Sequence, residues 1–168
     1  MNVRTRLMLG FAVVVLVACA ASKTRDEFRA NVAGGRALSA MDTYVAKRGF
    51  DEVTRMLKQK SEECLNYQMT QSRSEGAMTT SKVTTNFTAS FQVVNNNHAE
   101  LTIRKNPKGK LSFSPGAPEG GLYHVAIDID RLTPYTTKLT YYGPSGWDKG
   151  YSAIKSWSDG HPARCPYT

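Results

Sequence analysis

A run of alternating side chains at residues 83–93 constrains the fold more than any other feature of the chain. An extended backbone would carry its apolar residues on one side: Val83, Phe87, Ala89, Phe91 and Val93. The other side would carry Thr84, Asn86, Thr88, Ser90 and Gln92. This period of two predicts a β-strand with one face in the core and the other in water.

A second strand is predicted directly after the first. Asn95-Asn96-Asn97 is typical of a tight turn, because asparagine tolerates left-handed backbone. The alternation then resumes, with apolar residues at Ala99, Leu101 and Ile103. The two runs therefore predict a β-hairpin.

Two helices are predicted, at residues 50–64 and 147–157. In the first, one helical face would carry Phe50, Val53, Met56, Leu57 and Cys64. In the second it would carry Trp147, Tyr151, Ile154 and Trp157. Further strands are predicted at residues 41–47, 65–69, 123–129 and 135–142. Prolines and glycines predict a loop over residues 106–121 that holds a short strand at 111–113.

This order of elements is typical of an α+β domain. We expect one two-layer domain over residues 41–168, with an antiparallel sheet of about five to six strands. An N-terminal helix and a C-terminal helix would pack on that sheet. The arrangement is similar in outline to helix-grip domains, a likeness of element order that implies no function.

Residues 1–18 combine a basic start with an apolar run. Arg4 and Arg6 precede residues 7–18, which are apolar apart from Gly10. As a helix this run would reach roughly 18 Å, well short of the ~30 Å hydrocarbon core of a bilayer. The segment therefore indicates a removable signal peptide rather than a membrane span.

The end of that run, Leu16-Val17-Ala18-Cys19, resembles the lipobox of bacterial lipoproteins. The resemblance implies cleavage between Ala18 and Cys19 and a diacylglyceryl group on the Cys19 sulfur, for which only a thiolate is suitable. The new amino terminus would usually be acylated as well, for example with palmitate. Two or three acyl chains make membrane attachment effectively permanent. The alternative is an ordinary secretory signal with a chance cysteine.

The resemblance also bears on the segment after the lipobox. Residues 19–40 lack a sustained apolar period, so we expect a lipidated cysteine followed by a flexible tether. Lipoproteins that carry Asp after the cysteine tend to stay at the inner membrane, whereas this chain has Ala20. We therefore expect an outer-membrane protein of the cell envelope that faces the periplasm.

Lipidation of Cys19 leaves two of the three cysteines, Cys64 and Cys165. Disulfides persist outside the cytoplasm, so we expect these two to be bonded. A redox-active pair is the alternative, but it lacks the C-x-x-C spacing that lowers a thiol pKa.

The charge of the chain favours anionic partners. Removing residues 1–18 takes away Arg4 and Arg6, which lowers the formal net charge from +8 to +6. Such a domain favours anionic lipid, lipopolysaccharide or glycan polymer; nucleic acid is not expected for an exported protein. Four cations within seven residues on the predicted loop are candidates for contact with an anionic surface: Arg104, Lys105, Lys108 and Lys110. The alternative is a solubilising loop that protects a sheet edge.

Catalytic and metal-binding patterns are weak. Asp128 and Asp130 would share one strand face and could serve acid–base chemistry or a cation, but a solvent-facing pair beside Arg131 is favoured. Ser145 misses the G-x-S-x-G pattern by one position. The histidines stand singly, at His98, His124 and His161. We therefore expect no metal, no cofactor and no enzymatic activity.

Five aromatic residues could line a groove for an apolar ligand, although a core position is favoured: Tyr141, Tyr142, Trp147, Tyr151 and Trp157. Two functions are consistent with these features. The first is a membrane-anchored envelope lipoprotein whose non-enzymatic domain binds an envelope protein or an anionic polymer. The alternative is a small module that holds an apolar or lipid ligand between the sheet and the C-terminal helix.

Overall fold

A computed structural model describes residues 21–74, 80–108 and 120–167. Ala18, Cys19, Lys110 and the short strand predicted at 111–113 lie outside the described residues. The helices are α1 (Arg25–Ala33), α2 (Phe50–Cys64) and α3 (Asp148–Ser158). The strands are β1 (Ser39–Ala46), β2 (Tyr67–Ser74), β3 (Thr80–Asn95), β4 (His98–Lys108), β5 (Leu122–Thr133) and β6 (Thr136–Pro144).

The described strands form one antiparallel sheet in the order β1-β6-β5-β4-β3-β2. Strands β2 to β6 follow one another as a meander, and β1 pairs with β6 at the far edge. The predicted hairpin is confirmed, with Phe91 opposite Leu101 in β3 and β4. The α+β class and the antiparallel sheet are confirmed with it.

One face of the sheet carries the main core. Its central strand β5 contributes Val125, Ile127 and Ile129, all fully buried. Helices α2 and α3 cover this face with buried side chains at Phe50, Val53, Leu57, Tyr151, Ile154 and Trp157. Both predicted helices are therefore confirmed, as are buried positions for the five aromatic residues.

The opposite face carries a second, smaller core under α1. Phe28 and Val32 of this helix are buried against Ala126 and Tyr142, which alternate with the main-core residues along β5 and β6. The expected flexible tether over residues 19–40 is therefore wrong in its described part, and the domain does not start at residue 41. Helices lie on both faces, whereas two layers were expected.

Local contacts explain why α1 begins where it does. The backbone N–H of Glu27 donates to Thr24 Oγ1 at 3.1 Å, and the Glu27 carboxylate accepts from the Thr24 N–H at 3.3 Å. This reciprocal capping box satisfies two amides at the helix start. With only Phe28 and Val32 as its apolar stripe, the helix is too short to produce a recognisable period in the sequence.

The predicted bond between Cys64 and Cys165 is confirmed. It joins the end of α2 to the C-terminal segment across 101 residues. Beside it, the Tyr67 ring is stacked between Phe87, at 4.5 Å between ring centroids, and Tyr167, at 4.3 Å. The disulfide and this stack hold the C-terminal segment on the main core.

Candidate functional site

A cavity of about 260 Å³ lies where the α1–β1 connection crosses the ends of strands β4, β5 and β6. Helix α1 ends at Ala33 with Gly34 as its C-cap, and Gly35 follows with a φ of 83°, a left-handed conformation that glycine adopts without strain. The turn that results carries Arg36 and Leu38 over the strand ends. Apolar walls come from Phe28, Val32, Leu122 and Tyr123.

Two cationic side chains line this cavity. Arg36 enters from the α1–β1 connection and Lys105 from β4, and none of the described residues that line the cavity is acidic. Burial, together with the nearby charge of Arg36, lowers the pKa of Lys105. The cavity is therefore a positively charged environment in which the lysine ammonium is partly desolvated.

His124 lies at the same place on β5. Burial and the charge of Lys105 lower its pKa to about 4, so the ring is neutral at pH 7. Its centroid lies 5.1 Å from that of Phe87. A neutral imidazole at this position offers one hydrogen-bond donor and one acceptor.

Tyr123 forms a fixed wall. Its ring stacks on Phe28 at 5.9 Å between centroids. The guanidinium group of Arg104, which belongs to β4, lies 4.6 Å from the centroid of the Tyr123 ring. Arg104 Nη2 also donates to the Tyr123 hydroxyl at 2.8 Å. Both of these contacts of the Arg104 guanidinium stabilise the position of the Tyr123 ring.

The sequence predicted that the basic run lies on one loop, and this prediction is wrong for its described residues. Residues 106–108 continue β4, so Arg104, Lys105 and Lys108 all belong to a strand. Arg104 supports Tyr123, Lys105 lines the cavity, and Lys108 is exposed at the strand end opposite Thr84. Side chains of neighbouring strand residues diverge, which separates the first two cations.

A second polar group of residues lies between α1 and the sheet. Asp128 is 3% exposed and pairs with Arg25 and Arg29 of α1, so its predicted solvent-facing position is wrong. Arg25 also pairs with Glu100 at 2.6 Å. Two residues after Asp128 on β5, the Asp130 carboxylate contacts His98 Nδ1 of β4 at 2.8 Å and Lys138 Nζ of β6 at 3.3 Å.

The oxygen and nitrogen atoms of His98, Glu100 and Asp128 lie within 4.8 Å of one another, which suits a cation. Two guanidinium groups already pair with both oxygens of Asp128 and with Oε1 of Glu100. Three cations (Arg25, Arg29, Lys138) balance three carboxylates (Glu100, Asp128, Asp130) in this cluster. The arrangement is therefore an ion-pair network that fixes α1. Sequence spacing could not reveal it, because the partners come from separate elements.

Ser145 also has a structural contact. Its backbone N–H donates to the Leu38 carbonyl at 3.1 Å, and its hydroxyl approaches the same oxygen at 3.4 Å. The β6–α3 turn thereby supports the α1–β1 connection over the cavity.

None of the described helices has the length and apolar character to span a membrane. Comparison of the chain with protein-family models, with curated proteins and with solved structures found no match. The cavity at the strand ends is therefore assigned as the candidate site on its geometry and charge alone.

Proposed function

We propose that this protein is a lipid-anchored lipoprotein of a bacterial cell envelope whose domain binds a partner and performs no catalysis. The anchor is Cys19, at the end of the lipobox-like segment, and Ala20 favours the periplasmic face of an outer membrane. The partner is an anionic component of the envelope, because the mature chain carries a formal net charge of +6.

One structural observation supports this proposal above the others: the described fold includes Ser22, which lies three residues after the anchor cysteine. Ser22 is 6% exposed, and its hydroxyl accepts a hydrogen bond from Asn31 Nδ2 at 3.0 Å. Even a fully extended chain from Cys19 to Ser22 spans only about 10 Å. A lipid on Cys19 would therefore hold the domain against the membrane surface.

The positions of Ala21 and Ser22 also indicate which end of the domain would face the lipid. Ala21 and Ser22 line the cavity together with Arg36 and Lys105. A short link to Cys19 would thus bring the positively charged end of the domain towards the head groups. The same geometry supports a binding role for this end of the domain.

We further propose that the fold is a helix-grip variant, with α2 and α3 on one face of the curled sheet. In the alternative function, a ligand would lie between the sheet and α3. That space holds buried Tyr151, Ile154 and Trp157 against Ile127 and Leu139. The cavity beside α1 is consequently the better location for a ligand.

The anchor is tested by metabolic labelling with a radioactive or alkyne-bearing fatty acid, followed by fractionation of the envelope. The wild-type chain is expected to take up the label, and Cys19→Ser is expected to lose it and remain uncleaved. Cys165→Ser, which removes a different cysteine, is the matched control and should be labelled normally. Normal labelling of Cys19→Ser would disprove lipid anchoring.

Crosslinking in intact envelopes tests whether the domain binds a partner. A chain that stays without partners at native abundance would contradict the binding role.

A further inference from the structure

We propose that the cavity beside α1 binds the phosphate-bearing head group of an anionic lipid in the membrane to which the chain is anchored. This inference rests on the proposed function, because the anchor on Cys19 is what would bring the cavity to such lipids. It specifies the chemistry of the partner: a phosphate held by Arg36 and Lys105, with the acyl chains left in the bilayer.

The charges of the cavity favour this occupant. Arg36 and Lys105 approach each other closely enough for the charge of one to lower the pKa of the other, and the described lining offers them no carboxylate. An anion between them would relieve that repulsion and replace the water that Lys105 has lost. Guanidinium and ammonium groups are both strong phosphate ligands.

The size of the cavity matches a head group rather than a whole lipid. Its 260 Å³ is slightly below the roughly 300–1,000 Å³ of sites for drug-sized ligands. His124 and Ser39 add polar atoms to the lining, while Phe28 and Val32 add apolar surface. A phosphate and its glycerol backbone have this mixed polar and apolar character.

The rim of the cavity carries an exposed apolar side chain. Leu38 is 86% exposed and has a φ of 60°, a conformation that residues other than glycine rarely adopt. The hydrogen bond from the Ser145 N–H to the Leu38 carbonyl holds that conformation. A leucine held outwards beside two cations suits an interface, where the apolar group enters the acyl region and the cations stay with the phosphates.

The test uses the purified protein as it is expressed, with or without acyl chains on Cys19, in neutral detergent micelles that contain a photoreactive phosphatidylglycerol. A photoreactive phosphatidylcholine replaces it in the parallel sample. Mass spectrometry then locates the crosslinks. We expect adducts within residues 34–39 and 121–124, with at least tenfold higher yield for the anionic lipid.

Arg36→Gln/Lys105→Gln is expected to lower that yield at least tenfold. Arg55→Gln/Lys58→Gln removes the same charge from exposed positions of α2 and is expected to leave the yield unchanged. Circular dichroism verifies folding of each variant. Arg36 is exposed, so Arg36→Gln alone provides the test if the double variant does not fold.

The proposal would be overturned by equal yields for the two lipids, by adducts located elsewhere, or by full yield from the double variant. Competition identifies the source of the phosphate. If inorganic phosphate or glycerol 3-phosphate abolishes crosslinking at millimolar concentration, the cavity binds a soluble anion and the lipid assignment is wrong. The micelle assay does not need the anchor, so missing fatty-acid label on Cys19 would contradict the proposed function separately.

Discussion

Arg25 and Asp128 lie 103 residues apart in the chain, and their ion pair joins α1 to the central strand β5. Asp128 uses its second oxygen to pair with Arg29, one helical turn further along α1. Its side chain is 5% exposed, so both guanidinium groups depend on a carboxylate that is removed from water. The attachment of α1, which covers the cavity, depends on this residue.

Asp128→Asn is expected to lower the free energy of unfolding by on the order of 3 kcal/mol, because it removes the buried carboxylate charge that Arg25 and Arg29 share and leaves them only the more exposed Glu100 and Asp26. Asp130→Asn is the control on the same strand, where the carboxylate is 33% exposed, and should cost less than about 1 kcal/mol. Urea unfolding of both variants measures the difference. Equal effects would contradict a special role for Asp128.

Replacing Cys165 by serine is expected to lower the free energy of unfolding by about 2 to 5 kcal/mol. The disulfide closes a loop across 101 residues, and its loss increases the conformational freedom of the unfolded chain. Guanidinium unfolding of the variant is compared with that of the wild-type protein, with and without reductant. Reductant should destabilise the wild-type protein alone; if it destabilised both equally, the bond would not be the cause.

Gly150→Ala is expected to destabilise the protein by about 1 to 3 kcal/mol, although alanine favours helices. A Cβ at this position of α3 would lie 2.3 Å from ring atoms of Trp147, which is buried and cannot move freely. Gly146→Ala is the matched control, since a Cβ there meets no atom within 4 Å. Thermal unfolding of the two variants should give clearly different midpoints. If Gly150→Ala left the unfolding midpoint unchanged, the Trp147 ring would have to move away from the added Cβ, which would contradict this prediction.

Stability is expected to fall as the pH decreases from about 6.5 to 4, in part because of His124. Its folded pKa of about 4 lies below the ordinary value of 6.5, so the unfolded chain binds more protons in this window. The contribution is present above pH 6.5 and is lost as the pH falls to about 4. Its size is on the order of 3 kcal/mol.

The variant His124→Gln should remove this part of the pH dependence, while His161→Gln, at an exposed position, should not. Urea unfolding at several pH values measures both effects, and NMR titration of the His124 ring reports its pKa directly. A His124 pKa near 6.5 would contradict the burial argument.

The elements that the sequence predicted correctly are those whose pattern repeats along the chain. Residues 50–64 carry several apolar side chains on one helical face, and the helix Phe50–Cys64 was found there. The strand pattern at 83–93 likewise identified β3. In contrast, α1 has two buried apolar residues in nine, and short helices are marginal without tertiary contacts.

The candidate site, like α1, could not be predicted from a local sequence pattern. Lys105 was singled out for its charge, but the loop assigned to it was wrong, because Asn106 to Lys108 extend a strand across a proline. Arg36 and His124 were not linked to it at all. Their proximity depends on the crossing of the α1–β1 connection over the strand ends, and nothing in the local sequence encodes that crossing.

The sequence by itself determined the strand and helix periods and the lipobox-like segment ending at Cys19, because each is expressed in residue types and short spacings. The pairing of Cys64 with Cys165 followed from the number of cysteines that remain once Cys19 is assigned to the lipobox. Only the tertiary structure decided that α1 folds back onto β5, that Asp128 is buried between two arginines, and that Arg36 and Lys105 share a cavity. These features depend on the register of neighbouring strands and on contacts between residues far apart in the chain. Such contacts form only when the sheet has placed its side chains in space.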